Sequence, residues 1–539
     1  MNSPSQYPSA RQDGFQWELP TVQLPSYVPV ICLMAVVVVY KYVSSTKSIR
    51  ALPYINTAGL FSTNSARKTF TSSAESLLNQ AREKHPHQPW RIMTDFGERV
   101  ILPAELMEEI RNTSDMSFTE AFHEDFHGNV RGFDPIQFFV RSDILIAVVR
   151  KHLLRPSPSM TKRMSEEAEF ALSKTISNSS DWHEMDLSSF LADLVARLSA
   201  RIFVGDELCR DEEWLHSSKH YHHSWFIGAL KLHDWPWPLR HLVHWVIPEC
   251  KVMKASLKKQ REILAQSVAK RREMKQAAAA AGKEVPEFDD AFGWLEEEAK
   301  TRGLVYDETL ATGLQLMIAL VSSHATTDLL QKTMMDLLRH PGATEQIREE
   351  VIHQLRADGM SNSSFYNMKL LDSAFKESQR LTPSEMLLIR RRVMGDIKLS
   401  NGLFLKEGTR TWMDTSHMKD PTIYENPDQW DAARFAKLRS QPGGASSAQL
   451  VSSTRNHVGF GYGKHVCTGR FFAANLLKVI LCHLLANYEW KLAPGAEPYY
   501  LNFGNARMVN PASKILIRRR EKVEFDFSSV LDDQMSQRS

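Results

Sequence analysis

The decapeptide FGYGKHVCTG, Phe460 to Gly469, sets one cysteine, Cys467, among three glycines, a lysine and a histidine. After Gly469 the run RFFAANLLKVILCHLLANY repeats its apolar residues at helical spacing, which puts Cys467 near a helix N-terminus. The positive end of that helix favours a thiolate. Gly461, Gly463 and Gly469 permit tight turns and let a flat object approach the backbone. A nucleophilic cysteine needs a positioned base and an oxyanion hole. A zinc site needs three or four ligands at short spacing, and the chain has no CxxC. A lone thiolate under a glycine-lined surface suits an axial iron ligand better than either, with a buried structural cysteine as the bland alternative.

Two other stretches carry polar residues at telling spacings. In FKESQRLTP, Glu377 and Arg380 share one face of a helix and can pair, although such a pair on a surface contributes little. In ALVSSHATTDLL, Thr326 and Thr327 lie inside a helical pattern that runs from Tyr306 to His340. A threonine hydroxyl there can bond its own helix carbonyl, open the helix locally and hold a water; the plainer reading is a buried helix threonine.

Phe460-x-x-Gly463-x-His465-x-Cys467-x-Gly469 resembles the haem-binding signature of the cytochrome P450 haem-thiolate monooxygenases, and the other family motifs follow in order. The resemblance implies haem b, with Cys467 as proximal thiolate on the iron, Phe460 shielding the sulfur and Gly463 and Gly469 shaping the loop. His465 takes the place, more often arginine, that meets one haem propionate; Arg391 matches the strand arginine on the other, with Arg390 as its neighbour. FKESQRLTP is similar to the family's E-x-x-R helix, and Arg434 in NPDQWDAARF would complete a Glu377–Arg380–Arg434 network. Thr326 matches the key threonine of the oxygen-binding helix, where it organises protons, and Ala325 stands where the family has an acid. The early-helix propionate arginine is missing, with Arg150 and His152 as substitutes. Among family members the chain looks most like filamentous-fungal, ent-kaurene-oxidase-like enzymes of terpenoid and alkaloid metabolism. The implied activity is hydroxylation or further oxidation of a hydrophobic small molecule, using O2 and electrons from an NADPH-dependent reductase. An oxygen-independent haem-thiolate isomerase or dehydratase, and a non-catalytic haem-binding protein, are the alternatives. No dinucleotide or flavin fingerprint occurs, so NADPH and flavin belong to a separate reductase.

Elements must hold these residues in place. Helical patterns run over Ser73–Lys84, Glu166–Ile176, Leu187–Phe203, Ile247–Gln276, Tyr306–His340 and Thr344–Ala357. Strand-like stretches are short: Arg99–Leu102, Asp396–Leu399, Leu403–Leu405 and Lys514–Arg518. The expected architecture is mainly α with small β-sheets, the cytochrome P450 fold. The pocket is expected along Thr382–Ile389, Leu316–Ser323 and part of Phe122–Phe139, with Glu385 as a polar anchor.

With 539 residues, 43% apolar and 24% charged, the chain has globular composition. A net charge of +3 gives no field for nucleic acid, and five scattered cysteines give no disulfide framework. YVPVICLMAVVVVYKYV, residues 27–43, would span roughly 25 Å as a helix, close to the roughly 30 Å hydrocarbon core. Tyr27, Tyr40 and Tyr42 suit the interface, and the basic residues that follow put the bulk of the protein on the cytosolic side. The expected organisation is a polar segment (1–26), a transmembrane anchor (27–43), a hinge (44–60), the haem-thiolate domain (61–519) and a polar tail (520–539). A single-pass protein of the endoplasmic reticulum follows, with Asn112, Asn178 and Asn362 unglycosylated. HDWPWPLRHLVHW, with Trp235, Trp237 and Trp245, reads as a membrane-touching or entrance loop, or as ordinary loop packing.

Overall fold

A computed structural model describes residues 47–56, 63–176, 180–496 and 500–527. The expected anchor at 27–43 lies outside them. The chain divides into two compact units, Met1–Ala51 and Leu52–Ser539. In the first, the described secondary structure is the short helix Lys47–Arg50.

The second unit is mainly helical. The helices used below are α1 (Thr63–Lys84), α2 (Phe118–Asp125), α3 (Leu187–Phe203), α4 (Glu212–His233), α5 (Trp237–Val243), α6 (Pro248–Ala280), α7 (Glu308–Arg339), α8 (Lys369–Leu381) and α9 (Arg470–Asn487). Helix α3 has the bounds its pattern predicts. The Asp186 carboxylate accepts the Ser189 N–H at 2.7 Å as N-cap, and Leu187, Leu191, Leu194, Val195, Leu198 and Ile202 bury one face. Helix α1 begins ten residues before its predicted start at Ser73, because Ser73 breaks it (φ −139°, ψ 27°) and the first half buries only Ala66 and Phe70. Helix α9 is, among the described residues, the one long and apolar enough to cross a membrane, yet most of it is buried inside the protein. It is a core helix, apolar all round because protein surrounds it.

The largest sheet has five strands: β1 (Trp90–Thr94), β2 (Gly97–Leu102), β3 (Met116–Ser117), β4 (Leu387–Val393) and β5 (Arg410–Asp414), in the order β1-β2-β5-β4-β3. Only β2 is legible in the sequence. Strand β4 reads LLIRRRV, and three arginines hide a strand that is nonetheless largely buried. Its pairing with β5 slips between Leu388 and Arg391, where Ile389 sits at φ +50°. A β-branched residue there is strained, and the resulting bulge re-aims the side chains that follow.

Candidate active site

The cysteine loop closes on itself. Cys467 N–H donates to the Phe460 carbonyl at 2.8 Å, Gly461 N–H to Val458 at 2.7 Å, and Val466 N–H to Gly463 at 3.0 Å. Gly463 has φ +72°, and a Cβ on it would lie 2.5 Å from the Arg111 carbonyl oxygen. Glycine is required there twice over, by conformation and by space. The chain after Met107–Ile110 grips the same loop: Asn112 Oδ1 accepts Lys464 N–H at 3.0 Å, and the Thr113 carbonyl accepts Lys464 Nζ at 2.6 Å. Phe460 is half-buried against the main core.

Burial pushes the Cys467 thiol up; backbone N–H groups of Gly469 and Arg470 and the Arg470 guanidinium act against that rise. Those donors belong to the first turn of α9, so the helix end points at the sulfur. Cys209, Cys250 and Cys482 are buried, whereas Cys467 is accessible. A thiol that is desolvated by its surroundings and still accessible lines an internal cleft. Gly469 faces the same way. Its φ is an ordinary −84°, and a Cβ there would meet no protein atom within 4 Å. The loop's own backbone and protein neighbours therefore do not demand glycine at 469.

Arg390 and Arg391 diverge at the bulge. Arg390 pairs with Glu385 and lies 3.6 Å from Asp125. Arg391 is buried, donates Nη1 to the Arg390 carbonyl at 2.8 Å, and forms no ion pair with any described carboxylate; its Nε is buried without an acceptor. Burial alone lowers it to about 10. It acts on His465, which burial, Arg391 and Lys464 hold down at about 4 while the Met116 carbonyl partly offsets them. His465 Nε2 is buried with no partner. Two cationic or donor groups thus face each other without a protein anion, an arrangement that fits a carboxylate supplied by a ligand. Glu385, expected as a polar anchor for substrate, is instead committed to Arg390.

From His465 a chain of rings runs to α7. Ring centroids run His465–Phe118 6.3 Å, Phe118–Phe122 5.9 Å, Phe122–Phe126 4.7 Å, Phe126–Phe226 6.4 Å and Phe226–His324 6.3 Å. The last ring is on α7. That helix is buried on both sides of its middle, yet Val321 (47% exposed), His324 and Ala325 are open. Thr326, the next residue, is buried. Asp328 accepts Lys332 Nζ and Ser384 Oγ, each at 2.6 Å, and so ties α7 to the start of the Thr382–Ile389 segment.

Beneath the loop, Arg380 Nε and Nη2 donate to Glu377 at 2.8 and 2.9 Å, and Arg434 Nε donates to the same carboxylate at 2.9 Å. Glu377 and Arg380 are fully buried. The remaining guanidinium N–H groups go to the carbonyls of Met418, Pro427, Glu425, Asn426 and Gln429. The expected three-residue network is formed.

A family model described as "Cytochrome P450" matches residues 142–518. The chain belongs to the cytochrome P450 family. It is a haem-dependent monooxygenase, served by a separate reductase and acting on a hydrophobic substrate. The chain is 38% identical over 495 residues to the cytochrome P450 monooxygenase hepE of Aspergillus oryzae, covering 91% of this chain and 90% of that one. It is 37% identical over 487 residues to the cytochrome P450 monooxygenase eqxH of Fusarium heterosporum, covering 89% and 93%. The retinoic-acid-bound cyanobacterial CYP120A1 matches in fold, with a TM-score of 0.62 at 15% identity over 87% of this chain and 99% of that chain.

Of the two substitutes for the early-helix arginine, His152 stacks on Trp294 at 4.4 Å and is committed there. Arg150 is exposed and makes no ion pair with a described residue. Gly461, at φ +77° and with its would-be Cβ 3.3 Å from the His465 carbonyl, belongs with Gly463 as a loop-shaping glycine of this P450.

Proposed function

We propose that Cys467 is the thiolate ligand of the haem iron and that Arg391 and His465 hold the propionates. The accessible sulfur at the N-terminus of α9 carries this reading. Phe460 packs beside the loop and limits water at the sulfur. Gly469 leaves the face beside Cys467 flat enough for a macrocycle, and Arg150 is the remaining candidate for a further propionate contact. When bound, haem supplies the redox chemistry that activates O2 for insertion into a C–H bond, with the thiolate donating electron density. The chain orients the substrate, excludes water and positions protons. Thr326 holds protons near the cleft through its hydroxyl, at a helix position where Ala325 cannot exchange them.

The aromatic wall of Phe118, Phe122 and Phe226 supports a bulky hydrophobic substrate, which we read as a terpenoid or related specialised metabolite. The organisation follows the sequence: segment 1–26, anchor 27–43, hinge 44–60, catalytic domain 61–519 and tail 520–539. The anchor's basic flank supports a single pass through the endoplasmic reticulum membrane with the domain cytosolic.

The test is a carbon-monoxide difference spectrum of the reduced protein in membranes, beside Cys467→His. The wild type gives the red-shifted band of thiolate ligation and the variant loses it. A wild type that binds haem without that band refutes the assignment.

A further inference from the structure

Helix α4 meets α7 along a line that carries two histidines. His222 Nε2 donates to the Leu316 carbonyl at 3.4 Å. One turn further along α4, the Phe226 ring comes 6.3 Å from the ring of His324, about two turns beyond Leu316 on α7. Residues four apart share a helix face, so His222 and Phe226 turn one face of α4 toward α7. The surroundings are apolar. Phe226 lies 6.4 Å from Phe126, which stacks on Trp225 at 4.4 Å. Val321 and Ala325 flank His324 on the open middle of α7. A polar side chain in such a wall needs a partner, since an unsatisfied one is costly.

The two ring nitrogens of His222 have different fates. The Leu316 carbonyl has no proton to give, so Nε2 carries the N–H and the neutral ring keeps its lone pair on Nδ1. No described residue donates to that Nδ1. Burial lowers His222 to about 4, with the Leu316 carbonyl acting against the fall and His324 adding to it, so the ring is neutral near pH 7. The residue is nonetheless only half-buried. A ring that is desolvated by its surroundings and still accessible lines a cavity, as Cys467 does. His324 is exposed on the same side and makes no hydrogen bond with a described residue. The wall thus offers one free acceptor and one uncommitted imidazole in otherwise apolar surroundings. Pockets of this kind take an apolar body and fix it through a few polar groups.

We propose that the substrate is a hydrophobic alcohol whose hydroxyl donates to His222 Nδ1 and accepts from His324. The site rests on the substrate pocket proposed above and names the class it takes. A hydroxyl has a proton for the free lone pair of one imidazole and lone pairs for the N–H of the other. A ketone or an ether offers lone pairs alone. A carboxylate also has no proton to give, and its negative charge would face the Nδ1 lone pair. A site built to bond a substrate hydroxyl rejects the analogue without one, because its own polar group is then left unpaired. The two histidines set how the apolar body lies against Phe226, so they govern specificity and take no part in bond breaking.

The test is equilibrium dialysis of the full-length haem protein with farnesol, farnesyl methyl ether and farnesoic acid. The wild type binds the alcohol most tightly. The ratio of ether to alcohol dissociation constants is then compared across variants, which cancels the different hydration of the two probes. Glutamine places its amide where Nε2 lies and asparagine where Nδ1 lies. His222→Gln keeps the donor to Leu316 and loses the acceptor, so the ratio falls roughly five-fold. His222→Asn keeps an acceptor at the site and retains most of the ratio. His324→Leu lowers the ratio as well, and it carries the test with the wild type if His222→Gln misfolds. A histidine that only clasped the two helices would give the opposite order: the asparagine variant would lose stability and neither would change the ratio. An unchanged ratio in His222→Gln overturns the proposal, as does tighter binding of the ether or the acid, or no binding of any of the three. An unchanged ratio in His324→Leu overturns the second contact. The carbon-monoxide spectrum tests the haem assignment separately, so a failure here leaves that assignment standing.

Discussion

Gly463 and Gly469 look alike in the motif and differ in physics. Gly463→Ala forces a Cβ to 2.5 Å from the Arg111 carbonyl at φ +72°, so the variant loses about 1–3 kcal/mol of stability with or without haem. Gly469→Ala meets no protein atom. Its haem-free unfolding midpoint in urea therefore matches wild type, while its haem retention falls. Equal loss of stability in both variants would contradict the cleft-facing placement of Gly469. The adjacent arginines separate in the same manner. Arg390→Gln strands Glu385 and weakens the hold on Asp125, which costs about 2–3 kcal/mol. Arg391→Gln removes a buried, unpaired cation, so the folded chain loses haem rather than stability. Haem per folded protein, read beside urea denaturation, distinguishes them. The family signature singled out Cys467 and His465 in the sequence, and the resemblance of the strand before Asp396 singled out Arg391. Neither showed the bulge at Ile389 that aims Arg391, because a strand's phase cannot be counted through an inserted residue.

At the scale of elements, long helices were legible, and of the five-stranded sheet only β2 was. Helix α3 alternates a clean apolar face and carries its cap in sequence, so its bounds could be read. Strands β1, β4 and β5 are five to seven residues long and interrupted by arginines whose partners are distant in sequence, such as Arg390 with Asp125. No local pattern encodes such a pairing. The same holds for Asp328, which lies near Thr326 in sequence and serves to clamp α7 to Ser384. Lys332 is fully buried, lowered by its burial, and is held by Asp328 and the Pro383 carbonyl. Asp328→Ala leaves that ammonium poorly compensated and lowers stability by about 3–5 kcal/mol. Adding Lys332→Met restores most of the loss. The double variant still lacks the anchor for Ser384, so substrate-binding spectra weaken even though the fold recovers. A double variant as unstable as the single one would mean that the pair is not the source of the loss.

Over the whole molecule, burial fixes how the fold answers to acid. His127, His233, His457 and His483 are buried. His127 Nε2 donates to the Ala229 carbonyl at 3.0 Å, since a carbonyl has no proton to give, and His233 and His457 likewise donate to the carbonyls of Asp125 and Lys376. His483 is paired with Ser165 at 2.8 Å. Burial pushes His127 and His483 down to about 3 and takes His233 and His457 well below the ordinary 6.5. All four are therefore neutral in the folded chain at pH 6, whereas the unfolded chain begins to protonate them below about 6.5. The unfolded state then binds more protons, so stability is fully present above 6.5 and falls as the pH drops toward the folded-state values. Each histidine contributes up to about 1.4 kcal/mol per pH unit to that slope. Urea midpoints measured from pH 7.5 to 5 should hold steady at first and then fall more steeply than one proton allows. Replacing His483 by Gln, which keeps a donor for Ser165, should remove about one proton from the slope while leaving the cysteine loop untouched. A slope unchanged by that replacement, or a midpoint flat to pH 5, would mean that these histidines are protonated in the folded protein and that other groups set its acid limit.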